Sequence, residues 1–170
     1  MAGNASKGAT TGKTRDGRPV AQNRRARHDF DIIDTYESGI VLHGSEVKSL
    51  REGKAQLRES FARVQDGEVW LYGMHIPPYA FASAWGATDP DRRRKLLLHR
   101  RQIDELWRRT TQDAYTLVPL AVYFSDGRAK VELAVARGRK LYDKRHALAK
   151  RDAEMEARRA AAPLRRSLDS

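Results

Sequence analysis

The chain contains no cysteine, which removes a disulfide framework and any thiolate metal site and fits a reducing compartment. It also lacks a run of about 18 apolar residues, so no helical membrane span is expected, and the opening MAGNASKGATTGKTRDGRPV has no apolar signal segment. These two absences point to the cytoplasm. The five histidines (His28, His43, His75, His99 and His146) sit on different predicted elements, and none has a second ligand three or four residues away on a helix. No nucleophile elbow, complete phosphate loop or zinc motif is present; Gly8 with Gly12-Lys13-Thr14 is one residue short of a phosphate loop and follows no strand. No metal or other cofactor is expected. A metal-dependent nuclease whose carboxylates converge only on folding is the remote enzymatic alternative.

What the chain has is basic charge, unevenly placed. The net charge of +11 over 170 residues divides into +6 for residues 1–28, −1 for residues 29–136 and +6 for residues 137–170. A balanced body with two positive arms is the layout of a polyanion binder. Neither arm carries the wide Leu, Phe or Trp face that inserts into lipid, so a membrane is not the expected partner. In RGRKLYDKRHALAKRDAEMEARR, from Arg137 to Arg159, cations surround a single aromatic ring, Tyr142. Phosphate neutralisation and base stacking both suit that composition, while a solvated terminus is the plain alternative.

Residues 1–22 have no hydrophobic periodicity and read as a disordered basic arm. Asn23-Arg24-Arg25-Ala26-Arg27-His28 runs into DFDIIDTYESG, where alternation predicts a strand. Glu37-Ser38-Gly39 reads as a turn and Gly39 to His43 as the returning strand. A helix follows, with Ser45 as its cap, Val47 and Leu50 on the inner face, Lys48, Arg51 and Lys54 on the solvated side, and Gly53 at its end. Asp66-Gly67 marks a hairpin with Phe61, Val64, Val69 and Leu71 inward; Trp70 and Tyr72 face the other way, read as a second packing layer rather than a stacking platform.

Arg92, Arg93, Arg94 and Lys95 form a dense positive spot ahead of a short apolar strand. Ile103, Leu106, Trp107 and Thr110 have helical spacing. Strands around Asp126-Gly127 complete the body, with an edge or bulge at Pro119. The expected fold is mostly β with flanking helices: an OB-like antiparallel barrel of about six strands over residues 23–136. Residues 137–170 form a basic tail in which Asp143 caps a helix reaching residue 162. Leu148 and Met155 are its only large apolar residues after that cap, so the tail is expected to be disordered or loosely helical until a partner receives it.

Segments NRRARHDF, ESGIVLHGSEVKSLREGKA, DGEVWLYGMHIPPY, DPDRRRKLLLHRRQIDEL and YTLVPLAVYFSDGRAKVELAVARGRKLYDKR together resemble the SmpB family of SsrA-binding proteins over residues 22–150. The resemblance implies an OB-like barrel with no enzymatic activity. It also implies binding to the tRNA-like domain of tmRNA and its delivery to stalled ribosomes in trans-translation. It puts tmRNA contacts at Asn23, Arg24, Arg25, Arg27, His28, Phe30, Glu37, Lys95, Leu97 and Lys130. Arg137, Gly138, Arg139, Lys140, Tyr142, Asp143, Lys144 and Arg145 match the motif that enters the small-subunit decoding centre, ahead of a helix in the empty mRNA channel. Tyr142 occupies a position that is often His in the family. Three departures stand out: the N-terminal arm is long, Ala114 stands where Gly is usual, and the end after Met155 matches nothing firmly. A general OB-fold binder of ribosomal or single-stranded RNA is the alternative within binding proteins.

Overall fold

A computed structural model describes residues 18–81 and 88–161, excepting the side chains of residues 140–142. Residues 1–17, 82–87 and 162–170 lie outside these residues, and with them most of the N-terminal arm and the end of the tail. Residues up to Arg137 make one compact unit and those from Gly138 another.

The first unit contains seven strands: β1 (Ala21–Gln22), β2 (Phe30–Ile40), β3 (Phe61–Gln65), β4 (Glu68–Tyr72), β5 (Arg94–Leu97), β6 (Thr116–Ser125) and β7 (Arg128–Gly138). Its helices are α1 (Ala26–Asp29), α2 (Gly44–Arg51) and α3 (Arg100–Thr111). Along the sheet the order is β1-β6-β3-β4-β5-β2-β7, and β7 pairs back onto β6. Six strands therefore close on themselves, as expected, and the short β1 adds a seventh outside the ring. Closure leaves few unpaired edges.

Hairpins β3–β4 and β6–β7 turn at Asp66-Gly67 and Asp126-Gly127, where all four residues have positive φ. That is the geometry of a two-residue turn matched to strand twist. A register shift between Pro119 and Ala121 makes the expected bulge. The extra residue changes which side chains face in: Leu117 before it, and Val122 and Phe124 after it, join one core with Leu71, Leu96, Leu106 and Leu133. Val118 and Leu120 face the opposite way and form a second cluster with Ala26, Ala134 and Ala136, against which Phe30 and Ile32 pack.

Several expectations are corrected. Glu37-Ser38-Gly39 is no turn, because β2 runs unbroken for 11 residues; Ser38 is buried and its hydroxyl donates to the Val131 carbonyl. Helix α2 is capped at His43, whose amide donates to Glu46 at 2.8 Å, and Ser45 falls within its first turn. Phe61 does not point inward: it lies opposite Tyr72 with ring centroids 5.4 Å apart, and Ala62 takes the inward place. Trp107 is 51% exposed, leaving Leu106 as the buried anchor of α3.

The second unit is helix α4, Arg139–Ala161, 23 residues long. It begins four residues before the expected cap, so Asp143 lies inside the helix. Leu148 and Met155 are both exposed.

Candidate RNA interface

The basic run after β1 is held by its one amide residue. Asn23 is buried; its side chain donates to the Pro119 carbonyl and accepts from the Ala26 amide, both at 3.2 Å. Its own amide donates to the Leu120 carbonyl at 2.8 Å. Asn23 thus supplies partners where the β6 bulge interrupts the ladder, and its amide group faces the fold. Arg24, Arg25, Arg27 and His28 are exposed around it. Arg25 pairs with Asp29 at 3.4 Å, His28 meets the same carboxylate at 3.3 Å, and Arg27 reaches Glu132 at 3.9 Å. Burial pushes the Glu132 carboxyl up, with Arg27 pulling the other way. Phe30 is half-buried and anchors the segment.

Glu37, Leu97 and Lys130 converge on a single open cavity of about 550 Å³. It lies where β2 leads toward α2, β5 toward α3, and β6 turns into β7. Leu97 is 52% exposed, an apolar wall beside a carboxylate and an ammonium. The Tyr123 hydroxyl donates to Glu37 and fixes the carboxylate; burial, with this hydrogen bond, raises the Tyr123 phenol well above its usual range. Lys95 shares the Leu97 face of β5, with its ammonium 2.7 Å from Glu68. The cavity and the basic run are joined along β7, since Lys130 and Glu132 point to the same side of that strand.

The positive spot at Arg92–Lys95 is corrected. Arg94 is 0% exposed and bonds to Glu46 at 2.7 Å, to the Met74 carbonyl at 2.5 Å and to the Pro90 carbonyl at 3.0 Å. Arg92 bonds to the other Glu46 oxygen. Burial opposes ionisation of Glu46, yet bonds from Arg92, the His43 amide and Arg94 hold its carboxyl below the usual range. Burial likewise lowers the Arg94 guanidinium. Only Arg93 of the four is exposed without a carboxylate partner among the described residues. Lys48, Arg51 and Lys54 on α2 and at its end are exposed, as expected, with Arg51 4.6 Å from the Phe124 ring centroid and Lys48 5.5 Å from that of Tyr79.

Sequence reasoning missed Tyr123, Phe124 and the positional role of Gly39. Gly39 carried a usable signal, because glycine inside a strand marks close approach of a neighbour. Of the tail residues, Arg137 ends the first unit with its guanidinium 5.6 Å from the Tyr115 ring centroid. Gly138 closes β7, and Arg139, Asp143, Lys144 and Arg145 lie on α4. The side chains of Lys140 and Tyr142 lie outside the described residues. No group of three or more potential metal ligands occurs among the described residues, and none of their helices is long and apolar enough to cross a membrane.

A small ring of strands with a cavity that joins Glu37, Leu97, Arg128 and Lys130, an exposed basic run and a basic helix fit the class of RNA-binding β-barrel proteins. Residues 20–163 match the family model described as SmpB protein. The SsrA-binding protein of Parafrankia sp. (strain EAN1pec) is 59% identical over 140 residues, which cover 82% of this chain and 88% of that one. That of Frankia casuarinae is 57% identical, covering 84% and 89%. A solved structure described as "tmRNA-SmpB: a journey to the center of the bacterial ribosome" superposes with a TM-score of 0.60 at 52% identity, covering 71% of this chain and 85% of that one. The chain belongs to the SmpB family.

Proposed function

We propose that this protein binds the tRNA-like domain of tmRNA through its barrel and delivers it to stalled ribosomes, where the C-terminal helix probes the decoding centre and the empty mRNA channel. The observation that carries the barrel half is the convergence of Glu37, Leu97 and Lys130, from three separate strands, on one cavity. An exposed leucine offers a surface to a base or ribose. The carboxylate, oriented by Tyr123, accepts hydrogen bonds from a base edge or 2′-hydroxyl, and the ammonium meets phosphate. Arg24, Arg25, Arg27 and His28 add phosphate contacts along the same side of β7, and Asn23 acts by holding their segment in place. The protein works in the cytoplasm, as a binding protein rather than an enzyme.

The tail half rests on composition. Helix α4 carries Arg139, Lys144 and Arg145 in its first two turns and few large apolar side chains, a composition that suits a groove lined with RNA phosphate. Tyr142, in place of the family's frequent His, provides a ring for stacking without a titratable nitrogen.

Two variants test the division of labour. Glu37→Ala is expected to weaken binding of the tRNA-like domain. Truncation after Gly138, which leaves all of β7 in place, is expected to preserve that binding and to abolish tagging of stalled products. Unchanged tagging after truncation excludes the probing role. Loss of preference for the tRNA-like fold over unrelated RNA as salt is raised would instead favour a general RNA binder.

A further inference from the structure

The ring of strands has a second outward face that the cavity does not use. In the β3–β4–β5 register, Arg63 lies opposite Trp70, which lies opposite Lys95 on its other side, and Phe61 lies opposite Tyr72. These side chains alternate with the buried Ala62, Leu71, Val69 and Leu96, so all of them point away from the core. Cations sit on the rings: the Arg93 guanidinium is 4.1 Å from the Trp70 centroid and that of Arg63 is 5.2 Å from Phe61. Neither Trp70 nor Tyr72 belongs to either core cluster, so the expected second packing layer is absent among the described residues. Beside the β3 edge of this face, Phe61, Arg63 and Tyr115 line an open cavity of about 530 Å³.

We propose that this face binds unpaired RNA by stacking bases on the Trp70–Arg93 and Phe61–Tyr72 pairs, forming a second contact surface continuous with the first through Lys95 and Leu97. Guanidinium planes and aromatic rings both stack on bases, and they do so without reading sequence. Lys95 pairs with Glu68, while Arg63 and Arg93 have no carboxylate contact among the described residues and lie over rings, so the excess charge suits a phosphate backbone. Unpaired nucleotides fit better than duplex, because stacking needs bases free of their partners. The inference rests on the reading of the protein as an RNA binder, but not on the role of Glu37.

The test uses the full chain carrying Trp85→Phe and Trp107→Phe, which leaves Trp70 as the only tryptophan. The probes are an oligoadenylate of about ten nucleotides and a hairpin duplex of similar length. Saturable quenching of Trp70 by the single strand, and weaker quenching by the duplex, is expected. Arg93→Ala and Arg63→Ala, both at exposed positions, and Trp70→Leu should each lower oligoadenylate affinity about tenfold. For Trp70→Leu, read by anisotropy of a labelled strand, the salt dependence should stay unchanged, since no phosphate contact is lost. Glu37→Ala should leave oligoadenylate binding intact. Binding without Trp70 quenching, equal quenching by duplex, or unchanged affinity in both arginine variants overturns the proposal. If those results accompany loss of tRNA-like domain binding in Glu37→Ala, the second face fails and the first reading stands. If quenching appears while Glu37→Ala binds the tRNA-like domain normally, the second face stands and the cavity reading fails.

Discussion

Gly39 faces Leu97 across the β2–β5 ladder so closely that a Cβ on Gly39 would sit 3.2 Å from the Leu97 Cβ. Such a contact is tighter than ordinary packing and can be relieved only if Leu97 shifts. The Leu97 Cβ moves only with its backbone, so β5 must give by a few tenths of an ångström; replacing a strand glycine offsets part of that strain, and the net cost of Gly39→Ala should stay below about 1 kcal/mol by denaturant unfolding. The displaced leucine changes the cavity wall that Glu37 and Lys130 share. Binding of the tRNA-like domain by filter retention should fall about tenfold, a loss of about 1.4 kcal/mol that stability does not mirror.

Glu46 ties helix α2 to strand β5 through Arg94 and Arg92. Removing one member of a buried ion pair leaves the other charge unpaired, so Glu46→Gln should destabilise the protein by about 3–5 kcal/mol. That is a large share of a typical domain's stability of about 5–15 kcal/mol. Combining Glu46→Gln with Arg94→Met should lose less than the sum of the single changes, measured as a double-mutant cycle in urea. The folded carboxyl is held below its unfolded pKa. Its contribution is therefore fully present above the unfolded value and is lost as pH falls through the folded one. Glu46→Gln should flatten the acid side of the stability profile.

The Tyr36 hydroxyl is buried with no hydrogen-bond partner among the described residues. Burial pushes its phenol up to about 12. Because the folded pKa lies above the unfolded value of about 10, the protonated phenol's contribution is complete below pH ~10 and disappears as pH rises through the folded value. Tyr36→Phe removes an unsatisfied hydroxyl while keeping the ring, so stability at pH 8 should rise by about 1 kcal/mol. The fall in stability between pH 9 and 11, followed by urea unfolding at roughly half-unit steps, should become shallower.

Elements whose cause is local were legible in the sequence. The two Asp-Gly turns and the bulge at Pro119 follow from backbone preferences that a few residues carry with them. Continuity of β2 was not legible, since Ser38 and Gly39 look like turn chemistry until Val131 and Leu97 come alongside. Burial of Arg94 was hidden for the same reason: four cations in a row read as a dense positive spot unless the carboxylate 48 residues earlier is known to meet them. In the site, Glu37, Leu97 and Lys130 were named from family resemblance, and no spacing rule connects three strands. The structural use of Asn23 depends on a bulge almost a hundred residues away.

Ala114 adopts a φ of 55° between the end of α3 and the start of β6. A Cβ in the left-handed region crowds the following carbonyl and costs about 1–2 kcal/mol, which glycine avoids. Glycine also gains freedom in the unfolded chain, so only part of that strain is recovered by Ala114→Gly. A net gain of about 1 kcal/mol and a rise in melting temperature of about 4 °C are expected. None of the cavity's lining residues is Ala114. Affinity for the tRNA-like domain should therefore stay constant while the melting curve moves. Asp126→Gly provides the internal comparison, because aspartate tolerates its φ of 51° better than alanine does and the same exchange should gain less there. Equal gains at both positions, or none at Ala114, would show that the chain before β6 is not strained by its side chain.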